Sequence, residues 1–221
     1  MQMTKDEMPF KEISKIHKEC PVCEIERDLI YGETRDILKV RGLDIDVASK
    51  IHYCPEGDHY FYSIEDEEDK FQAAYREYRK RKGLLQPEEI RAIRNQYRLS
   101  QKSFSLSLGW GDITIHRYET GAIQNDAHND VLRMIRDFNN FKQYFEAKKN
   151  ILEPDLAKLV QKAIDNIEKD QRRHTVELIL NMLAEQKREP GRAFIVEARP
   201  DYIKQVVSEK YYSNEELALA A

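Results

Sequence analysis

The sequence predicts an α+β fold, mostly α, with a small β-hairpin domain first and helices after it. Two observations predict it. Short β-branched runs separated by turn residues occupy the first third, and helical periodicity takes over from about residue 65. A third observation, charge, divides the chain the same way. Residues 1–70 carry 10 Lys+Arg against 18 Asp+Glu, a net of -8, whereas residues 71–137 carry 12 against 8, a net of +4. The overall charge of -4 averages these, and an acidic head before a basic middle suggests two tasks on one chain.

Composition bounds the class. The chain has 221 residues, 34% of them charged. No stretch approaches the roughly 20 apolar residues that span a bilayer, so no membrane partner is expected. No apolar core comes after the first lysines, so no secretory signal is expected. Three cysteines cannot pair evenly, which argues against a disulfide scaffold and for a cytoplasmic protein.

Residues 1–19 read as a short helix. Thr34–Val40 and Ile45–Tyr53 alternate in part, and Arg41-Gly42-Leu43-Asp44 between them reads as a turn, so they form a hairpin. His59–Ile64 reads as a third short strand. The acidic run 65–69 suits the start of a linking helix, which closes with Arg79-Lys80-Arg81-Lys82 and Gly83. Pro87 opens the next helix, and Ser100 caps the one after. Gly109-Trp110-Gly111 breaks it, and Asp112 caps a helix through Glu119. Asp126 or Asn129 opens another, and a short helix covers Phe141–Ala147. Pro154 opens an amphipathic helix with Leu156, Leu159, Val160, Ala163, Ile164 and Ile167 on one face. Thr175–Leu183 forms a further helix, Glu189-Pro190-Gly191 breaks the chain, and Phe194–Val196 is a short strand. The domains implied are 1–69, 70–149 and a helical extension with a flexible tail at 150–221.

Two constellations carry chemistry. Cys20-Pro21-Val22-Cys23 is a knuckle whose thiolates can grip one tetrahedral ion. Cys54-Pro55 begins a second knuckle, but Gly57 stands where its second cysteine belongs. His59 is the candidate fourth ligand, with Asp58 and His52 weaker ones. The metal would be a structural Zn2+. The alternative is a degenerate finger that folds without metal.

The second constellation runs from Leu99-Ser100-Gln101 through Leu108-Gly109-Trp110-Gly111 to Arg117-Tyr118-Glu119 and Gly121. A short helix, a glycine turn and a second helix form a helix-turn-helix, whose second helix enters the major groove. Thr114 and Arg117 lie on one outward face, and Arg117 can read guanine. Ser100 and Gln101 start a helix where phosphate is met, and Lys102, Arg91, Arg94 and Arg98 add cations. Arg94 has an alternative, an internal pair with Glu119. No nucleophile–base or two-metal spacing links His17, His116, His128, His174 or the acidic run, so no catalysis is expected.

With both halves read, the chain resembles the MqsA-type antitoxins, zinc-finger plus helix-turn-helix proteins of bacterial toxin–antitoxin operons. The resemblance rests on Cys20-Pro21-Val22-Cys23, Val40-Arg41-Gly42, Tyr53-Cys54-Pro55 and Gly83-Leu84-Leu85, then on Pro87-Glu88-Glu89-Ile90, Leu99-Ser100-Gln101 and Arg117-Tyr118-Glu119. It spans about residues 15–145. It implies a Cro/repressor-like helical domain that represses its operon as a homodimer on a double-stranded DNA operator, and an N-terminal finger that binds a protein toxin. The family's base-reading Arg falls on Arg117. Its Asn position falls on Ile113, leaving Thr114 and His116 to share recognition. The alternative is a regulator without a toxin, its N-terminal domain serving dimer or effector contacts. Leu217–Ala221 is similar to the small apolar tail read by AAA+ proteases, or simply ends a helix.

Overall fold

The computed structural model describes residues 10–188 and divides into two compact units, with the boundary between Leu152 and Glu153. The first unit begins with a four-stranded antiparallel sheet in the order β1-β2-β3-β4. Its strands are β1 (Lys11–Cys20), β2 (Ile25–Val40), β3 (Leu43–Cys54) and β4 (His59–Phe61).

The helix read near the N-terminus is a strand over its described part. β1 pairs with Ile25–Glu33, shifts register between Glu12 and Ser14, and exposes Ile13. The physical reason is the knuckle after Cys20, which reverses the chain and brings residues 11–20 alongside β2. The expected hairpin is present but longer, with Val40 opposite Leu43 across the two-residue turn Arg41-Gly42. Both turn residues have positive φ, 45° and 86°, the twist that suits a tight hairpin.

Helix α1 (Ile64–Lys82) links the sheet to the helical part of the unit and runs unbroken through residues 69 and 70. Ser63 caps it, carboxylates fill its first turn, four cations fill its last, and Gly83 closes it in the left-handed conformation. One sheet face packs on it. Val40, Ile45 and Val47 meet Ala74, Tyr78 and Leu84 in a buried cluster.

Among the described residues of the unit five more α-helices follow, α2 (Pro87–Gln96), α3 (Gln101–Ser107), α4 (Thr114–Glu119), α5 (Asp126–Met134) and α6 (Phe138–Lys148), and a short 3-10 helix, Lys149–Ile151, comes after them. Pro87 opens α2, where its missing N–H costs nothing. Ser100 caps α3 as expected, accepting from the Ser103 N–H. Asp112 does not cap α4, because that helix starts later, with Ile113 at its N-cap position. Asp126 opens α5, the first of the two expected starts, and Asn125 before it is the cap, accepting from the His128 N–H. Around Tyr97 an aromatic stack forms the centre, with Phe141 at 3.9 Å and Phe104 at 6.0 Å between ring centroids. The Tyr97 hydroxyl donates to the Ile135 carbonyl.

The second unit contains α7 (Pro154–Arg188), one helix of 35 residues. The two helices read at Pro154–Ile167 and Thr175–Leu183 are joined, because the polar stretch 168–174 contains no Pro or Gly to break them. The break at Glu189–Gly191, the strand Phe194–Val196 and the Leu217–Ala221 tail lie outside the described residues. Among the described residues no helix is long and apolar enough to cross a membrane.

Candidate functional site

The two knuckles meet at one end of the sheet. Cys20 closes β1, and the chain reverses through Pro21-Val22-Cys23-Glu24. The Glu24 N–H returns to the Cys20 carbonyl at 2.8 Å, with Glu24 held at φ 56°. Cys54 closes β3, directly opposite His59 at the start of β4. The sulfurs of Cys20, Cys23 and Cys54 and a ring nitrogen of His59 all lie within 4.8 Å of one another. A tetrahedral ion with bonds of about 2.3 Å to sulfur and about 2.0 Å to nitrogen needs donors roughly 3.5–3.8 Å apart. The donor set therefore fits one metal ion, with three thiols and one imidazole as its corners.

His59 is oriented for the task. Its Nδ1 lies 3.0 Å from the Gly57 carbonyl, which accepts its proton and leaves Nε2 facing the sulfurs. That Nε2 is 3.1 Å from Cys20 Sγ. Gly57 explains the broken knuckle. A Cβ there would strike the His59 ring, 2.6 Å from Nδ1 and 3.0 Å from Cys23 Sγ. The corner that a second cysteine would fill is taken by the imidazole, and only glycine leaves it room.

The weaker candidates are elsewhere. Asp58 accepts from the Tyr53 hydroxyl at 2.8 Å. His52 lies between Tyr31 and Phe61, with Nδ1 3.5 Å from Asp66. Leu29 and Phe61 back the site, and Arg27 pairs with Glu56 across its rim. Burial pushes the Cys20 thiol up, but N–H groups of Cys23 and Val22 and the His59 ring outweigh it and bring it down to about 6. Burial pushes the Cys23 thiol up, helped by the neighbouring sulfurs of Cys20 and Cys54.

The α3–α4 pair is locked from within. Phe104, Leu108 and Ile115 of this segment are buried, Phe104 against Tyr97 and Phe141. Tyr144 donates its hydroxyl proton to the Leu108 carbonyl at 3.0 Å, holding the turn from α6. Glu119 at the end of α4 is buried with three partners. Arg94 donates at 2.6 and 3.0 Å, Gln101 donates at 2.7 Å, and Arg91 approaches to 3.4 Å. Burial raises the Glu119 carboxyl, yet these donors leave it below its ordinary value.

This network reassigns several expected contacts. Arg94 is committed to Glu119, the internal alternative. The Gln101 amide is shared between Glu119 and His116, whose Nδ1 lies 3.1 Å from Gln101 Oε1. Ser100 is occupied as a cap, with its hydroxyl also 2.9 Å from that of Ser103. Lys102 and Arg117 are exposed, and their side chains make no hydrogen bond or ion pair among the described residues. Thr114 is half-buried three residues before Arg117.

Two features are invisible in the sequence pattern. Ile113, at the start of α4, is 58% exposed, a large apolar side chain beside Thr114. Trp110 stacks on His128 at 4.0 Å, and the His128 Nδ1 is 2.7 Å from the Tyr118 hydroxyl. Nothing in the local pattern links positions 110, 118 and 128, since only the fold brings them together. Compared with known proteins, the chain matches no family model, no curated protein and no solved structure.

Proposed function

We propose that the chain is a DNA-binding transcriptional repressor whose α3–α4 pair is a helix-turn-helix, with α4 reading the major groove. The observation that carries this reading is the Glu119 network. It fixes two short helices by an internal polar staple and leaves the outer side of α4 to Arg117, His116, Thr114 and Ile113. An unpaired arginine there suits guanine O6 and N7, and an exposed isoleucine suits a thymine methyl. Lys102 and the start of α3 supply phosphate contacts.

The Cys20, Cys23, Cys54 and His59 centre holds Zn2+ in a structural role. All four corners come from the chain, so no position is left for a substrate. The acidic sheet domain suits a basic protein partner, in keeping with an antitoxin that binds its toxin there. A homodimer on paired half-sites completes the reading.

The test is selection of a duplex from a random library by the full chain, then binding to that duplex as salt is varied. Arg117→Ala should cost about 1–3 kcal/mol and relax specificity at one base position. Failure to enrich any sequence would overturn the DNA reading. Growth rescue from the product of an adjoining small gene tests the antitoxin part. Metal analysis of the wild type against Cys20→Ser tests the zinc.

A further inference from the structure

Residues 121–125 connect α4 to α5, and groups from distant parts of the chain hold them. Arg41, at the tip of the β2–β3 hairpin, donates to the Ile123 carbonyl at 2.7 Å and to the Gln124 carbonyl at 3.0 Å. Arg79 of α1 donates to the Gly121 carbonyl at 2.6 Å. The Ile123 side chain packs against the cluster that joins the hairpin to α1. Gln124 is fully buried and donates to the Leu85 carbonyl at 2.7 Å. Gly121 has φ 113°, and a Cβ there would fall 2.9 Å from the Gln72 amide nitrogen, so the loop backbone lies directly on α1.

Arg79 makes the arrangement unusual. It is 0% exposed, and its Nε and Nη1 find no hydrogen-bond partner. No carboxylate forms an ion pair with it among the described residues. Burial, with Arg76 and Arg41 nearby, lowers its pKa to about 10. A buried guanidinium served by one carbonyl is costly. Arg41 adds a fork that only arginine has, two donors for two successive carbonyls.

We infer that Arg41 and Arg79 are positioning residues that clamp the α4–α5 loop to the hairpin and α1, so that the metal-bearing sheet sets where α4 stands. Neither touches DNA, yet both govern DNA affinity. This rests on α4 being the reading helix, and the test separates the two claims.

Arg41 is the residue to vary, because its fork lies near the surface while Arg79 is buried. In full-length Arg41→Ala, amide hydrogen exchange at Ala122, Ile123 and Gln124 should accelerate roughly tenfold, with Ile90 and Ile93 in α2 unchanged. Arg41→Lys, with one head group for two carbonyls, should fall between. Affinity for the duplex selected by the wild type should fall roughly tenfold with an unchanged salt slope, since no phosphate contact is lost. Unchanged exchange at 122–124 overturns the clamp. Faster exchange with unchanged affinity overturns its control of α4, and a salt slope reduced by about 1 makes Arg41 a phosphate contact instead. If the wild type selects no duplex, the DNA reading fails and the exchange measurement alone decides the clamp.

Discussion

Both carboxylate oxygens of Glu119 are taken by one guanidinium, that of Arg94, at 2.6 and 3.0 Å. The two residues are 25 positions apart, one in α2 and one at the end of α4, so this fork joins the first helix of the bundle to the proposed reading helix. Removing one partner of such a pair leaves the other charge without its counter-ion. Glu119→Ala should destabilise the chain by about 3–5 kcal/mol in urea unfolding.

The same pair sets an acid limit. The Glu119 carboxyl is held below 4.5 when folded, so the unfolded chain takes up its proton first. The stability it contributes is present above pH 4.5 and is lost as pH falls through the lower folded value. The gap in unfolding free energy between wild type and Glu119→Gln should therefore narrow on acidification below that point.

Gly57 makes room for His59 at one corner of the candidate metal site. Gly57→Ala should displace the imidazole and weaken metal retention against a chelator, although the three cysteines are untouched. Gly57→Cys combined with His59→Ala should restore one bound equivalent, because the removed ring makes room for a sulfur. Mass spectrometry under native conditions reads both.

Tyr97→Phe keeps the aromatic stack and leaves the Ile135 carbonyl without its donor. A loss of about 1–3 kcal/mol is expected in denaturant unfolding.

Trp110 is the one tryptophan of the chain and stacks on His128. Burial lowers the His128 pKa from 6.5, so the folded state keeps the ring neutral where the unfolded state begins to charge it. Its contribution to stability is present above pH 6.5 and is lost as pH falls through the folded value. Trp110 emission should be quenched over that lower range in the wild type and not in His128→Gln.

The elements with strong local signals were legible in the sequence. Pro87, Ser100 and Gly83 each mark a helix end by their own chemistry, and the structure uses them so. The cysteine spacing brought out three members of the cluster that could hold a metal, and His59 came from its distance to Cys54. The parts that local reading could not supply depend on partners far away. β1 is a strand because the knuckle folds it onto β2. Gln101 and His116 look outward in the linear pattern, yet Glu119 draws the Gln101 amide inward and His116 leans on it. Arg41 reads as a turn residue, and its two acceptors lie more than 80 positions away.

The unbroken course of α1 bears on how such a gene could be cut and rejoined. An exchange at residue 70 would leave the sheet with Asp66 and Lys70 but without Ala74 and Tyr78, which cover its hairpin. The other fragment would open partway along α1, with Ala74 and Tyr78 stripped of the hairpin residues Val40, Ile45 and Val47. Sheet and helices in this chain thus share one core, and any exchange of the N-terminal sheet would have to carry α1 and the loop it holds.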